Sequence, residues 1–425
     1  MKFFNISIKA LFFISAMFGY ISQTCAEDSN TIPAIKILWQ KEVTPDANLD
    51  CSLGQVAFDK TNKRLLIAGT SFRPKVYSEG KLWLLEIDAN NSNMDRTLLL
   101  KDINQNNASS PITLAVSLIS SLTISENKNV TLVGGFDNNT SPMSIMKIDR
   151  NGNTSKFIGF AEKDDDVNKN SNSENFQLIH GGINLSGDNL LLMGKGRDGG
   201  LITKVDSEGN RIWGKGYKIG QKQQDFFTDG VVVGDKGNFA VVGCSANPAE
   251  TGSKFPDVTG DDFILQGNAQ GDVIAKDIFP GNPWPGEQPQ MCQISSGNFI
   301  VVYGKGMEFK RSDINIRTYS TDLKLLWEKL VIKSEQNKPS SFKIAATPQG
   351  GFIVAVNVDF GNLRVYEYNE KGDKVANFSV DREIWLVNIG LACMDDKALV
   401  VYQTRPNSGQ GEKLSKIKIV ALELK

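Results

Sequence analysis

One phrase occurs three times in this chain: Ile37-Leu38-Trp39-Gln40-Lys41, Arg211-Ile212-Trp213-Gly214-Lys215 and Leu325-Leu326-Trp327-Glu328-Lys329. The two internal copies each close a unit that reads apolar strand, polar loop, apolar strand, tight turn, Trp strand. The first copy has no such unit in front of it and reads as an orphan fourth strand. The unit it lacks lies at the other end, where Lys416 to Lys425 forms a third strand and the sequence stops. Repeats that complement one another at the two ends predict a closed ring of sheets, a β-propeller.

Two further series support that reading. The second strand of a unit recurs seven times, each copy ending at one of Gly69, Gly135, Gly194, Gly243, Gly304, Asn357 and Gln403, in steps of 46 to 66 residues. That spacing holds four short strands with their loops. The third strand ends in a turn with Asp or Asn followed by Gly three residues later, as in Asp149/Gly152, Asp206/Gly209, Asn268/Gly271 and Asn369/Gly372. An Asx side chain bonds its own backbone and Gly accepts positive φ, so these are hairpin residues before they are anything else. No window shows a sustained helical period. The expected fold is therefore all-β: seven four-stranded blades near 53–104, 110–162, 175–220, 224–281, 286–334, 339–380 and 382–425, closed by a strand at 35–43. Residues 27–425 then form a single domain, and the polar run from Lys163 to Glu174 is a long loop between the second and third blades.

The N-terminus carries Lys2 and Lys9, an apolar run from Ala10 to Ile21 and the small residues Thr24-Cys25-Ala26. This is the pattern of a secretory signal peptide, with cleavage after Ala26 and a periplasmic or secreted destination. The run is too short to span a bilayer, and no transmembrane segment is expected elsewhere. Cys25 raises a lipoprotein alternative, but Ser22, Gln23 and Thr24 stand where a lipidation signal would place its recognition residues, and plain cleavage is preferred. Loss of two lysines and no acid takes the formal charge from −1 to −3. No basic surface for nucleic acid remains. The four remaining cysteines, Cys51, Cys244, Cys292 and Cys393, permit two disulfides or serve as buried thiols.

Catalytic residue types are sparse. His180 is the only histidine, so a multi-His metal cage is excluded; it is expected on the channel-lining strand of blade three in a hydrogen-bonded structural role. Asp164, Asp166 and Asn168 have the alternating oxygen spacing of a calcium loop, but Lys169 replaces its turn glycine and Asn175 its bidentate Glu. Asp257, Asp261 and Asp262 form an acidic cluster read as a solvated loop. In a propeller the second-to-third-strand loops and the links between blades share one face. That face is expected to carry Arg73, Tyr77, Arg197, Phe255, Phe309, Arg311, Asp359 and Arg405, a set rich in the aromatic and Arg anchors of binding interfaces.

The unit from Leu201 to Trp213, with Asp206, Gly209 and Trp213, resembles the repeats of bacterial secreted and periplasmic propellers, including the quinoprotein-like family to which outer-membrane assembly propellers belong. The likeness covers 35 to 425. Its Asp-to-Gly spacing is one residue shorter than in the quinoprotein repeat and no residue matches a cofactor ligand, so no cofactor is expected. The resemblance implies a scaffold or binding surface more than chemistry, and the expectation is a monomeric ring that binds a protein or cell-envelope macromolecule as an assembly, adhesion or inhibitory component. The competing expectation is a polysaccharide lyase or glycosidase with carboxylates at the channel mouth.

Overall fold

Short runs of Val, Ile, Leu and Phe separated by Gly, Asn and Asp turns favour local antiparallel pairing, and the chain follows that preference throughout. The computed structural model describes residues 32–45, 50–73, 76–99, 119–124, 129–134, 144–149, 153–159, 176–196, 199–220, 224–246, 260–281, 288–305, 312–334, 339–359, 361–380, 385–405 and 414–425. They build seven four-stranded antiparallel sheets arranged as the blades of a ring. Six blades are simple meanders, for example Gln224–Val233, Asn238–Ala246, Gly260–Gly267 and Val273–Gly281 in blade four. The single helical segment among the described residues is the three-residue turn Ser186–Asp188.

Blade seven is built from both ends of the chain. Its first three strands are Trp385–Met394, Lys397–Arg405 and Lys416–Glu423, and its outer strand is Ile37–Val43. The closing pair runs antiparallel, with Trp39 opposite Ala421 and Val43 opposite Ile417. Just before the closing strand, the Ile35 amide donates to Asn377 O of blade six at 2.7 Å. The orphan Trp strand therefore completes the last blade, as the repeat pattern requires.

The core lies between blades rather than inside one layer. The described buried apolar residues fall into seven clusters, one for each blade-to-blade interface. Val43, Leu399, Val401 and Ile417 of blade seven meet Leu53, Leu65, Ile67 and Trp83 of blade one in the interface that closes the ring. Each sheet thus buries both faces, which explains strands such as Phe352–Val358 that are apolar almost without alternation.

The repeated Trp phrase has a physical role in this arrangement. In each copy the Trp and the Lys two residues later grip the third-strand hairpin of the next blade. Trp39 Nε1 donates to Ala89 O at 3.2 Å, and Trp213 Nε1 donates to Ala269 O at 3.1 Å. Lys41 donates to Ser92 O, Lys215 Nζ reaches Asp272 Oδ1 at 2.7 Å, and Lys329 Nζ donates to Gly372 O at 2.9 Å and Asp373 Oδ1 at 3.2 Å. The turn glycine is required twice over. Gly271 and Gly372 have φ of 80° and 73°, and a Cβ there would lie 3.0 Å and 2.5 Å from the rings of Trp213 and Trp327. The turn Asx residues hold the hairpins themselves: Asp206 Oδ1 accepts from the amides of Glu208 and Asn210, each at 2.8 Å.

Cys51, Cys244, Cys292 and Cys393 are free thiols in four different blades. Cys51, Cys244 and Cys292 are buried, and burial pushes the Cys51 thiol up to about 12. The even cysteine count therefore reflects packing positions, the second of the two options the sequence left open.

Candidate functional site

The inner strands line the axis of the ring, and most of them bulge at the same level. The register slips between Leu53 and Gln55, Ile119 and Ser121, Ile179 and Gly181, Phe227 and Asp229, and Leu386 and Ile389. A bulge re-aims side chains by adding one residue to a strand, and here it turns polar groups toward the neighbouring blade. Ser120 Oγ donates to Ile179 O at 2.7 Å, Thr228 Oγ1 to Pro289 O at 2.7 Å and Asn388 Nδ2 to Leu53 O at 2.9 Å. The next position repeats the device, with Ser121 Oγ donating to Gly182 O at 2.8 Å and Asp229 Oδ2 accepting from the Met291 amide at 3.0 Å. These bonds form an inner hoop that complements the outer Trp and Lys clamps.

Inside the hoop is a cavity of about 300 Å³ lined by residues of six inner strands, among them Gln55, Ser120, His180, Asp229, Gln290 and Lys343. Asp229 is the one carboxylate of this lining, and both its oxygens are engaged: Oδ1 accepts from the Gly230 amide at 2.8 Å and Oδ2 from Met291. Burial raises its pKa against the pull of those amides and of Lys343. Burial likewise lowers the pKa of Lys343, with Asp229 opposing. The two sense each other's charge, yet Lys343 makes no hydrogen bond or ion pair with any described residue.

His180 lies on the inner strand of blade three, Phe176–Asn184, where the sequence put it, and faces the cavity. Its surroundings differ from the expected hydrogen-bonded role. The ring packs on Phe226 with centroids 5.2 Å apart, and it has no hydrogen-bond partner among the described residues. Burial first, and then the charge of Lys195, lowers its pKa to about 4, so the imidazole is neutral at pH 7.

The residues assigned from sequence to the binding face fall as follows. Arg73 ends the second strand of blade one and Tyr77 lies within its third strand; the sequence placed both in a loop, but the hairpin is longer and pairs Arg73 with Val76. Arg405 ends the second strand of blade seven. Asp359 sits in the turn between the second and third strands of blade six with φ of 54°. These four share the second-to-third-strand end of their blades. Arg197, Phe255, Phe309 and Arg311 lie outside the described residues, as do Asp164, Asp166, Asn168 and Asp257. Asp261 and Asp262 are not in a solvated loop. They belong to strand Gly260–Gly267, and Asp262 is fully buried beside Cys244, where burial drives its carboxyl well above the usual range.

Sequence reasoning missed Gln55, Asp229, Gln290 and Lys343. The available signal was a polar residue inside a first strand, as in Phe342-Lys343-Ile344, where a charge interrupts an otherwise packed run. Nothing in the sequence shows that the four converge, because convergence depends on the closed ring.

No family model matches this chain, and no curated protein matches it. Solved structures do. A protein of unknown function from Dyadobacter fermentans is similar over 93% of this chain and 100% of its own, at 10% identity and a TM-score of 0.53. A polysaccharide lyase of the ulvan lyase family PL25 is similar over 90% of this chain and 96% of its own, at 8% identity and a TM-score of 0.52. The BBS1N chain of a complex with ARL6DN is similar over 93% and 98%, at 10% identity and a TM-score of 0.50. At such identities the likeness is one of fold, and what it establishes is that this chain is a seven-bladed β-propeller.

Proposed function

We propose that this chain is an extracytoplasmic binding scaffold that recognises a macromolecular partner on the face gathering its second-to-third-strand connections, as an assembly, adhesion or inhibitory component. The observation that carries this reading is the chemistry of the channel. Hydrolysis of a glycoside needs two carboxylates about 5 to 10 Å apart. The described cavity presents one, Asp229, and its oxygens are held by backbone amides. A ring braced at its inner hoop and its outer clamps also suits a platform whose loops carry recognition. The signal-peptide pattern before Ala26 supports the extracytoplasmic location.

The test is capture of a partner from periplasmic and cell-envelope extract, followed by affinity measurement against an Arg73→Ala/Phe309→Ala double variant. Loss of a true anchor costs about 2 kcal/mol or more of binding with little change in stability. An unchanged affinity would count against this face.

A second reading, a polysaccharide lyase or glycosidase, is favoured by one observation: the imidazole of His180 faces the cavity with no hydrogen-bond partner among the described residues. Cleavage of a polysaccharide by the intact chain that disappears in His180→Gln would replace the scaffold reading with this one.

A further inference from the structure

The polar groups around the channel cavity divide into two sets. The hydroxyls of Ser120, Ser121 and Thr228 and the carboxylate of Asp229 are committed to bonds between blades. Gln55, Gln290, Lys343 and His180 face the same cavity with no hydrogen-bond partner among the described residues. They come from four different blades, so no local turn or helix end brings them together. All four are half-buried and line one cavity, so their polar atoms are open to a ligand there.

The cavity's size limits what can satisfy them. About 300 Å³ is at the lower edge of small-molecule sites and holds roughly ten waters. A small molecule of that scale fits it. Its charge narrows the choice further. Lys343 is the one amine of the lining and has no hydrogen bond or ion pair, Lys195 adds positive potential beside His180, and both oxygens of Asp229 are already held by amides. An ammonium so placed calls for an anion. The two amides each offer donors and an acceptor, which matches hydroxyl groups better than further charge.

We propose that the channel cavity is a binding site for a small hydroxylated carboxylate, with Lys343 anchoring the carboxylate and Gln55 and Gln290 reading the hydroxyls. The site is independent of the macromolecular partner on the loop face, and either can fail without the other. Isothermal titration of the full chain with gluconate tests it, with glucose as the uncharged counterpart and the Lys343→Met and Gln290→Ala variants alongside. The expected result is saturable gluconate binding, little or none for glucose, a loss of about tenfold or more in Lys343→Met, and a smaller loss in Gln290→Ala. A Lys343→Met chain that does not fold, judged by near-ultraviolet circular dichroism, is replaced by Gln55→Ala, for which a loss is likewise expected. Absence of gluconate binding, binding of glucose with equal affinity, or unchanged affinity in the variants would overturn the assignment and leave a cavity that holds water only.

Discussion

Asn357 and Gln403 stand where five other blades carry glycine at the end of the second strand, and the structure explains both the rule and the exceptions. At Gly69 a Cβ would come within 2.1 Å of the Trp83 ring and 2.2 Å of Ser52 O, so only glycine fits. In the last two blades the same level is filled by amides that reach across to the next blade. Asn357 Nδ2 donates to Leu386 O at 3.0 Å. Gln403 donates to Cys51 O at 2.8 Å and accepts from the Leu53 amide at 3.1 Å, tying blade seven to blade one. Gln403→Ala leaves both backbone groups buried and unpaired, and is expected to cost about 2 kcal/mol or more in chemical denaturation. The exposed Gln349→Ala should change stability little, and equal losses in the two variants would refute the assignment. A second residue-scale expectation concerns Glu328, which accepts from Tyr303, Lys305 and Arg317 at 2.8, 2.9 and 3.0 Å. Burial raises its pKa, but those bonds and charges prevail and hold it below its ordinary value of 4.5. A carboxylate with a depressed folded pKa stabilises above its unfolded pKa and loses that contribution as pH falls through the folded one. Glu328→Gln should therefore flatten the acid limb of a stability-versus-pH curve below about pH 4.5 while lowering stability at pH 7; an unchanged acid limb would show that other carboxylates govern it.

At the scale of elements, the Trp strands and Asx-Gly hairpins were readable from sequence because each is a local pattern with a local cause. Their partnership was not, since Trp213 grips a turn more than fifty residues away. The inner strands were harder still. Their bulges arise where Gly54, Ser120, His180 and Thr228 stand, four unrelated residue types, so no shared motif announces them. The polar groups they aim at the axis, from Gln55 to Lys343, lie on separate blades and meet only when the ring closes. The β-hairpin at Arg73 and Tyr77 is also longer than the expected loop allows, because Gly80 and Lys81 pair with Phe72 and Ser71. The closing strand yields the element-scale prediction. A chain starting at Thr44 leaves the edge of Lys416–Glu423 unpaired and removes the Trp39 clamp on Ala89. Compared with a chain starting at Glu27, it should melt at least several degrees lower and self-associate through the bare edge. A melting point within about two degrees would mean that the termini do not hold the ring.

At the scale of the whole molecule, seven interfaces and two sets of polar ties make a closed body whose rigidity is its main resource. In blades one, four and six the third-strand hairpin is held under the Trp and Lys of the preceding blade, and in blades four and six that hairpin is an Asx-Gly turn. That end is committed to holding the ring together, whereas the second-to-third-strand end is free to vary without loosening a blade. The proposed partner is therefore expected at the latter end, and the proposed small ligand in the channel. Backbone hydrogen exchange on the chain with and without its captured partner measures this directly, because protection reports which backbone segments the complex covers. Added protection is expected at the Arg73–Val76 pair, around Asp359 and at the end of the strand Lys397–Arg405, with the turns Asp206–Asn210 and Asn268–Asp272 unchanged. Protection of those turns with no change at Arg73, Asp359 and Arg405 would contradict this placement.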